Sequence, residues 1–351
     1  MIDFRLQRYA LLALASAALF GASTPLAKRL LESVSALQLA GLLYLGSGVA
    51  LALLWCGLRL AGVRSEAQLE RRDLAWLTAA TVCGGIAAPW LLLTGLRGMP
   101  ASSASLLLNL EGVLTAIVAV MIFREAVGRR VWVGALVMLA GASVLSWSPG
   151  ATLGISTPAL FIVAACLFWA LDNNFTRPIS GADPIAIACI KGLAAGSVNL
   201  LLAVAAGDSL PGVASATSAL VVGAAGYGVS LVLYVTALRH LGAARTAAHF
   251  GTAPFIGAIL AVPLLGEPID WRLATGFAFM LAATWTLLRE SHDHEHVHAP
   301  QEHAHRHVHD EHHHHEHRGD EGPEPHTHPH RHERMRHTHP HFPDLHHRHH
   351  H

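Results

Sequence analysis

The sequence predicts an all-α membrane protein with ten transmembrane helices, arranged as two inverted five-helix repeats and followed by a disordered histidine-rich tail. Three observations support this prediction: recurrent long apolar runs, a pattern duplicated at an offset of 142 residues, and an abrupt change of composition near residue 291. Of the 351 residues, 52% are hydrophobic and 14% are charged. Only 2 of the 27 histidines, His240 and His249, precede residue 292. The formal net charge of zero therefore averages two unlike regions and says nothing about partners.

Ten apolar runs between residues 9 and 289 are predicted to span the membrane, since about 20 mostly apolar residues cross a bilayer as a helix. Their approximate centres are Leu19, Gly46, Cys83, Glu111, Met138, Cys166, Gly196, Gly228, Gly257 and Met280. The first run follows two arginines, as a signal peptide does, but it continues without a cleavage site. We expect it to be retained as the first helix.

The distribution of basic residues orients these helices. If both termini lie in the cytoplasm, thirteen arginines fall on that side, and only Lys28, Arg29, Arg97 and Arg272 fall on the other. This bias agrees with the positive-inside rule. The sequence therefore predicts a multi-pass protein of the inner (plasma) membrane with both termini in the cytoplasm.

The two halves of the apolar region are similar to each other. "FREAVGRRVWVGALVMLAG" (123–141) aligns without gaps on "LGEPIDWRLATGFAFMLAA" (265–283). More loosely, "FGASTPLAK" (20–28) lies over "WALDNNFTR" (169–177). Five helices are an odd number, so the second half is upside down relative to the first. Inverted repeats are typical of secondary transporters, whose sites form near mid-membrane where the halves meet.

We divide the chain into a first five-helix repeat (1–147), a linker (148–157), a second repeat (158–291) and a cytoplasmic tail (292–351). The tail has no apolar face around which it could fold. It is therefore expected to be disordered.

Both repeats carry sequence patterns of one transporter family. The first opens with "FGASTPLAK" and closes with "LLLNLEGVLTAIVAVMIFREAVGRRVWVGALVMLAG", and the second closes with "FGTAPFIGAILAVPLLGEPIDWRLATGFAFMLAA". Over residues 9–289 the chain resembles the EamA-type branch of the drug/metabolite transporter superfamily. The resemblance implies a carrier for small solutes, frequently an exporter, with no prosthetic group, and it implies no particular substrate. Phe20 stands where the family commonly has tryptophan.

One carboxylate, Glu111, lies about halfway through the fourth apolar run, close to Asn109. A charge at that depth costs roughly 2.5–3.5 kcal/mol on insertion scales, so Glu111 is expected to face a polar cavity or a partner. The candidate partner is Lys191, one of only two lysines in the chain. Two interpretations stay open: a group that binds a proton and a cationic part of the substrate in alternation, or a fixed pair with Lys191 that aligns helices.

A second polar cluster, Asp172, Asn173 and Asn174, lies near the cytoplasmic end of the sixth span, and His249 lies at a comparable depth on the ninth. His249 could meet Asp172, although a structural role for His249 is the simpler interpretation. The predicted transport cavity comprises Glu111, Lys191, Asp172, Asn109, Asn173, Asn174 and His249. No catalytic residue is predicted, because no nucleophile–base pair or phosphate-cradling loop is present, which disfavours an enzyme.

Small and acidic residues carry further structural predictions. Gly192 and Gly196 form a small-xxx-small face, which is typical of close helix packing. Pro89 in the third span, close to Gly84 and Gly85, and Pro254 and Pro263 in the ninth are expected to free backbone carbonyls, which either line a cavity or accompany a bend. Glu125 and Glu267 occupy equivalent span ends, and each is predicted to cap the helix that follows it.

The tail is predicted to bind divalent metal ions. Imidazoles two residues apart, interleaved with Asp and Glu, suit Zn, Ni, Co or Cu. The predicted ligands are His292, His294, His296, His298, His303, His305, His307, His309, His312, His313, His314, His315, His326, His328, His330, His332, His337, His339 and His341. A proton-buffering tail and a metal store unrelated to the transported solute stay open as alternatives.

The predicted function is export of a small organic metabolite by alternating access, with proton coupling as an option and no required cofactor. The alternatives are efflux of Ni, Co or Zn, with the tail collecting metal at the cytoplasmic mouth, and a membrane-anchored metal sensor or store. The expected partners are a small solute, the lipid bilayer and divalent metal ions, without nucleic acid. A homodimer is left open.

Overall fold

The computed structural model describes residues 4–62, 69–123, 129–148, 154–180 and 182–288, and in the tail 292–298, 301–307, 326–332 and 335–341. Nine helical stretches in these ranges are long and apolar enough to cross a membrane. A further helix at the end of the second half, with 18 residues, packs along the last helix of the first half and completes the ten predicted spans.

Both halves contain seven α-helices within the described residues. Those of the first half are α1 (Phe4–Leu30), α2 (Ala36–Leu60), α3 (Leu74–Ala80), α4 (Ala88–Arg97), α5 (Ala101–Leu107), α6 (Leu110–Phe123) and α7 (Arg129–Ser146). Those of the second half are α8 (Thr157–Thr176), α9 (Pro184–Ala205), α10 (Val213–Gly223), α11 (Ser230–Leu241), α12 (Ala243–Phe250), α13 (Ala253–Leu265) and α14 (Trp271–Leu288).

The same interruptions recur in both halves. The third span contains a π-helical segment, Thr81–Ala87 between α3 and α4 and Ala224–Val229 between α10 and α11. The fourth span is broken between α5 and α6 and, in the second half, between α12 and α13. The first helix of each half packs against the third and fourth spans of the other: α1 on α11 and α13, and α8 on α4 and α6. The predicted all-helical membrane fold of two inverted five-span repeats is confirmed.

Equivalent helices of the two halves also pair with each other, α2 with α9 and α7 with α14. A Cβ atom added to Gly192 of α9 would lie 2.8 Å from the Cα atom of Gly48 in α2. Real Cβ atoms do not approach so closely. The small face predicted at Gly192 therefore lies against α2, and the two backbones touch near the centre of the molecule.

Gly192→Ala is expected to lower the melting temperature of the detergent-purified protein, because the added methyl meets backbone that cannot move without separating α2 from α9. Overpacking of this kind typically costs about 1–3 kcal/mol. Gly57→Ala, in α2, is the matched control, since a Cβ there meets nothing within 4 Å. Equal melting temperatures for the two variants in a thermal unfolding scan would contradict the backbone contact.

In the tail the structure describes four strands: β1 (His292–His298), β2 (Gln301–His307), β3 (His326–His332) and β4 (Met335–His341). They form two antiparallel pairs, β1 with β4 and β2 with β3. Period-two alternation of histidine suits an extended chain. The strands are poor in apolar residues, and isolated two-stranded pairs are only marginally stable in water. The four described strands therefore lack the apolar side chains from which a hydrophobic core is built.

Candidate functional site

Glu111 lies in the first turn of α6, directly after the break that separates α5 from α6. Its span runs from Ala101 to Met121, which puts Glu111 near the middle. The side-chain amide of Asn109 donates to the carbonyl oxygen of Leu106 at 2.9 Å and so satisfies a group at the end of α5. Glu111 keeps intermediate exposure at this depth. The neighbouring helices therefore do not enclose it completely.

Asn173 of α8, and not Lys191, is the hydrogen-bond partner of Glu111. The Nδ2 atom of Asn173 donates to Oε1 of Glu111 at 2.9 Å. The Nζ atom of Lys191 instead lies 2.5 Å from Oδ1 of Asp172. The predicted Glu111–Lys191 pair is wrong because successive side chains on a helix point about 100° apart. Asp172 is thereby directed to α9 and Asn173 to α6.

The Asp172–Lys191 ion pair is mostly buried, with side chains 11% and 15% exposed. The hydroxyl of Thr176 donates a second hydrogen bond to Oδ1 of Asp172 at 3.0 Å. The carboxylate lies against the backbone at Gly84, where any Cβ atom would collide with it. This acid is thus neutralised and enclosed, whereas Glu111 is bonded to a neutral amide.

The π-helical segment Thr81–Ala87 supplies carbonyls that accept hydrogen bonds from side chains, as the proline of the third span, Pro89, predicts. The carbonyl oxygen of Gly84 accepts from the Tyr44 hydroxyl at 2.5 Å and from Trp169 Nε1 at 3.0 Å. The carbonyl oxygen of the next glycine accepts from Asn199 Nδ2 at 3.0 Å. A π-bulge leaves carbonyls without their usual helical donor, and here side chains of three other helices replace it. Gly84 and its partners border the ion pair.

Five aromatic side chains form a continuous series between the halves, and sequence reasoning missed it. Tyr44 and Tyr227 have ring centroids 5.7 Å apart, and Tyr227 and Phe20 5.6 Å. The series continues from Phe20 to Phe250 at 5.4 Å and from Phe250 to Tyr234 at 5.0 Å. All five keep intermediate exposure. They come from four spans, two in each half, so no local spacing in the sequence could have revealed the group.

Two of the predicted cavity residues, Asn174 and His249, form hydrogen bonds to backbone carbonyls of helices. The Nδ2 atom of Asn174 donates to the carbonyl oxygen of Thr115 at 3.2 Å and so ties α8 to α6. The Nδ1 atom of His249 lies 2.5 Å from the carbonyl oxygen of Arg245, one turn earlier in α12. In the described part of the chain, His249 has no hydrogen bond to Asp172, so the meeting considered from the sequence is not formed.

Fourteen of the predicted metal ligands fall on the four tail strands. The other five lie outside the described residues: His309, His312, His313, His314 and His315. Among the residues that the structure describes, no group of three or more His, Cys, Asp or Glu side chains could hold a metal ion.

Comparisons with known proteins agree with this architecture. The sequence pattern of the EamA-like transporter family matches residues 7–147 and 156–289. An uncharacterized transporter of Methanothermobacter thermautotrophicus is 30% identical over 230 residues, which cover 64% of this chain and 67% of that protein. One protein of known crystal structure has a similar fold, with a TM-score of 0.59 and 17% identity over 80% of this chain and 97% of that one.

The match covers both five-span halves, including the helix break at Glu111 and the ion pair of Asp172 and Lys191. The crystal structure shares too little sequence to indicate more than the fold, but the curated relative is itself named a transporter. These findings indicate a multi-pass membrane transporter. The chain belongs to the EamA-like transporter family.

Proposed function

We propose that the protein exports a small organic cation by alternating access and binds it between the two halves at Glu111. The observation that supports this most directly is a partly exposed carboxylate near mid-span whose described partner is an amide. Lys191 and Asp172 neutralise each other. The cluster therefore has one acidic charge in excess, which a cationic solute, or a proton in its absence, can balance.

The aromatic series from Tyr44 to Tyr234 offers a surface for the remainder of such a solute. Aromatic faces attract organic cations with about 0.5–2 kcal/mol for each contact, depending on desolvation. Tyr44 donates to the carbonyl oxygen of Gly84, the residue against which the Asp172 carboxylate lies. The charged part of the site therefore adjoins the aromatic part. The solute class that fits is an amine or quaternary ammonium ion with an apolar or aromatic substituent.

Glu111 can bind either the cationic solute or a proton, but not both at once. Solute transport in one direction is therefore coupled to proton transport in the other. A solute entering from the cytoplasm displaces the proton, and a proton entering from outside displaces the solute after the halves have rocked. The proton gradient then drives net export. The excess of basic residues on one side supports cytoplasmic termini in an inner (plasma) membrane, and this orientation makes the gradient favour export.

The test is uptake into inside-out vesicles that contain the full-length protein and are energised by an inside-acid pH gradient. Ethidium serves as the aromatic cation and radiolabelled phenylalanine as a zwitterion of similar apolar character. We expect gradient-dependent ethidium uptake above that of vesicles without the protein, abolished when nigericin collapses the gradient. Uptake of phenylalanine without ethidium would refute the charge argument, and uptake of neither probe would refute the proposed solute class.

A second function, capture of divalent metal by the tail, is favoured by the register of the strands. Residues directly opposite in an antiparallel pair have Cβ atoms about 4.5–5.5 Å apart, a separation suited to two imidazoles on one ion. Six such positions pair histidine with histidine: His292 with His341, His294 with His339, His296 with His337, His303 with His330, His305 with His328, and His307 with His326. We propose that these pairs bind Zn, Ni, Co or Cu.

Ni²⁺ binding by the full-length protein is expected to weaken on acidification. Protons compete with metal for imidazole, whose unperturbed pKa is about 6.5, so each liganding ring should lose about tenfold in availability between pH 7.5 and 5.5. Calorimetric titration at both pH values measures the change, with a chain ending at Ser291 as control. Binding that is independent of pH, or that survives removal of residues 292–351, would contradict metal capture by the tail histidines.

Metal uptake separates the roles that a metal-binding tail can have. Ni, Co and Zn are offered to the same inside-out vesicles, with full-length protein and the chain ending at Ser291 in parallel. Metal efflux predicts uptake whose apparent affinity falls without the tail. Organic export with an accessory metal store predicts no metal uptake and an unchanged ethidium signal in the truncated protein.

A further inference from the structure

We infer that Asn173 couples solute export to proton import, because its hydrogen bond to Glu111 holds the two halves together most strongly when Glu111 is charged and empty. The inference rests on the proposed exchange of a cation and a proton at Glu111. An exchanger has to keep its empty, charged form from changing between the two access states, since that form would return without a proton. The Asn173–Glu111 bond is placed to slow this form.

Asn173 and Glu111 belong to different halves of the molecule. Glu111 lies on α6 of the first half and Asn173 on α8 of the second, and these two helices pack against each other. The Nδ2 atom of Asn173 donates to Oε1 of Glu111 at 2.9 Å. Alternating access moves one half of an inverted-repeat carrier against the other. When α8 moves away from α6, this bond has to break.

Thr115 fixes the direction of the Asn173 amide. The Nδ2 atom of Asn173 also donates to the hydroxyl oxygen of Thr115 at 3.3 Å, and that hydroxyl donates in turn to the carbonyl oxygen of Glu111 at 2.8 Å. An ionised carboxylate only accepts hydrogen bonds, so the nitrogen of the amide, and not its oxygen, faces Glu111. The amide is thereby oriented to donate to Glu111 whenever α6 and α8 are in contact.

The strength of the Asn173–Glu111 bond depends on what Glu111 carries. A hydrogen bond to an ionised acceptor is roughly twice as strong as one between neutral groups. A proton makes Glu111 a neutral acid, and a bound cation offsets its charge, so both loads weaken the bond. The loaded forms therefore separate α6 from α8 more readily than the empty, charged form does. A load that interacts differently with two states is what shifts a carrier between them.

Few other groups on this interface can change charge. On the helices that pack against α6, the described titratable side chains are Cys166 and Asp172 of α8 and, in the first turn of α7, Arg129 and Arg130. The two arginines follow the opposite end of α6 in the chain. Asp172 is paired with Lys191, and Cys166 is fully buried. Glu111 is therefore the group whose charge the proposed loads would change.

Another carboxylate joins the halves independently of Glu111. Glu267, after α13, accepts from the backbone N–H of Ala101 at 2.5 Å and from that of Ser102 at 2.9 Å, at the start of α5. The prediction that Glu267 caps the following helix is wrong, because α13 and α5 pack together and bring α5 within reach. Loading Glu111 leaves this cap unchanged. The load dependence of the contact between the halves therefore comes from Asn173.

The first test measures how often α8 separates from α6, and it needs no solute. Cys166 of α8 is 0% exposed and its Sγ atom lies 3.6 Å from the carbonyl oxygen of Leu107, so a reagent reaches it only when α8 moves. Full-length protein with the other three cysteines replaced by alanine is treated with N-ethylmaleimide in detergent at pH 8. We expect Asn173→Ala to accelerate labelling about three- to tenfold, as loss of one hydrogen bond to a carboxylate would.

A double-variant cycle shows whether Asn173 acts through the charge of Glu111. Glu111→Gln keeps an acceptor without the charge and should give a smaller acceleration, and adding it to Asn173→Ala should accelerate labelling no further. Asn174→Ala is the matched control, since Asn174 also ties α8 to α6 but donates to the backbone carbonyl of Thr115 at 3.2 Å. Its effect should be the same with and without Glu111→Gln. Additive effects of Asn173→Ala and Glu111→Gln, or no acceleration by Asn173→Ala, would contradict the inference.

The second test measures coupling in proteoliposomes that contain the full-length protein at pH 8 on both sides, with the membrane potential clamped by valinomycin. Labelled ethidium is followed with unlabelled ethidium on both sides, as exchange, and into empty vesicles, as net uptake. Exchange never uses the empty form, whereas net uptake needs its return. We expect exchange to exceed net uptake about tenfold, and the ratio to approach one in Asn173→Ala. General loosening changes both rates together, as expected for Asn174→Ala.

The outcomes separate this inference from the proposed solute. A parental ratio in a folded Asn173→Ala protein would overturn the coupling role of Asn173 and leave cation export standing. If no ethidium is transported, the proposed solute fails, and the labelling cycle still decides whether the bond depends on the charge of Glu111. Melting temperatures report folding. If Asn173→Ala does not fold, Thr115→Val removes the hydroxyl that orients Asn173 and is expected to accelerate labelling and lower the ratio in the same direction.

Discussion

Replacing Glu111 with glutamine is expected to lower gradient-driven ethidium uptake by more than tenfold. Glutamine keeps the size and can still bond to Asn173, but it carries neither a proton nor the negative charge that a cation needs. Removing one partner of a desolvated charge pair costs about 2–5 kcal/mol, and each 1.4 kcal/mol is tenfold in affinity. Because the same group would exchange the proton, both binding and coupling should fail together.

Two matched variants make this result interpretable. Glu70→Gln makes the same substitution at an exposed acid outside the spans and should leave uptake unchanged. Glu111→Asp keeps the charge and should retain part of the transport. Full-rate uptake by a folded Glu111→Gln protein would remove Glu111 from the mechanism, and the proposal of a cation site at this acid would fall with it.

Replacing Lys191 with methionine is expected to destabilise the protein strongly, because Asp172 would be left buried and without its cation. Breaking a buried pair by removing one partner typically costs about 3–5 kcal/mol. The double variant Asp172→Asn/Lys191→Met removes both charges and should recover most of that loss. Thermal unfolding of the detergent-purified proteins measures both effects.

The double variant also decides what the ion pair is for. If it regains stability and transports ethidium normally, the pair only fixes α8 against α9. If it folds but fails to transport, Asp172 and Lys191 belong to the binding site. Lys191→Met with parental stability would show that the pair does not hold Asp172 in place.

The spans and their duplication were predictable because they are local properties of the chain. Apolar length identifies a spanning helix wherever it lies, and the duplicated segments align without reference to three dimensions. The prediction that Glu111 faces a polar cavity or a partner followed from the same reasoning, since an acid in the middle of a span is costly without one. Pro89 in the third span likewise pointed to the free carbonyls of Gly84 and its neighbour.

The contacts of the site were not predictable in the same way. Lys191 was expected to pair with Glu111 because both are scarce charges at similar depth, yet Asp172 takes Lys191 and Asn173 takes Glu111. The depth of a side chain in the membrane follows from its position along the helix, which the sequence gives. Which neighbouring helix the side chain faces depends on how the helices pack, which the sequence does not give. Glu267 illustrates the same limit, since it caps a helix about 165 residues away.

The sequence by itself determined a ten-span membrane protein of two inverted halves, one acid at mid-depth and a histidine-rich tail. Those features depend on the composition, length and periodicity of continuous stretches of the chain, which can be read without knowing the fold. The tertiary structure alone decided the partner of each charge, the aromatic series between the halves and the helix that Glu267 caps. Each of these is a contact between different helices, and helix packing, which no local pattern encodes, determines which side chains meet.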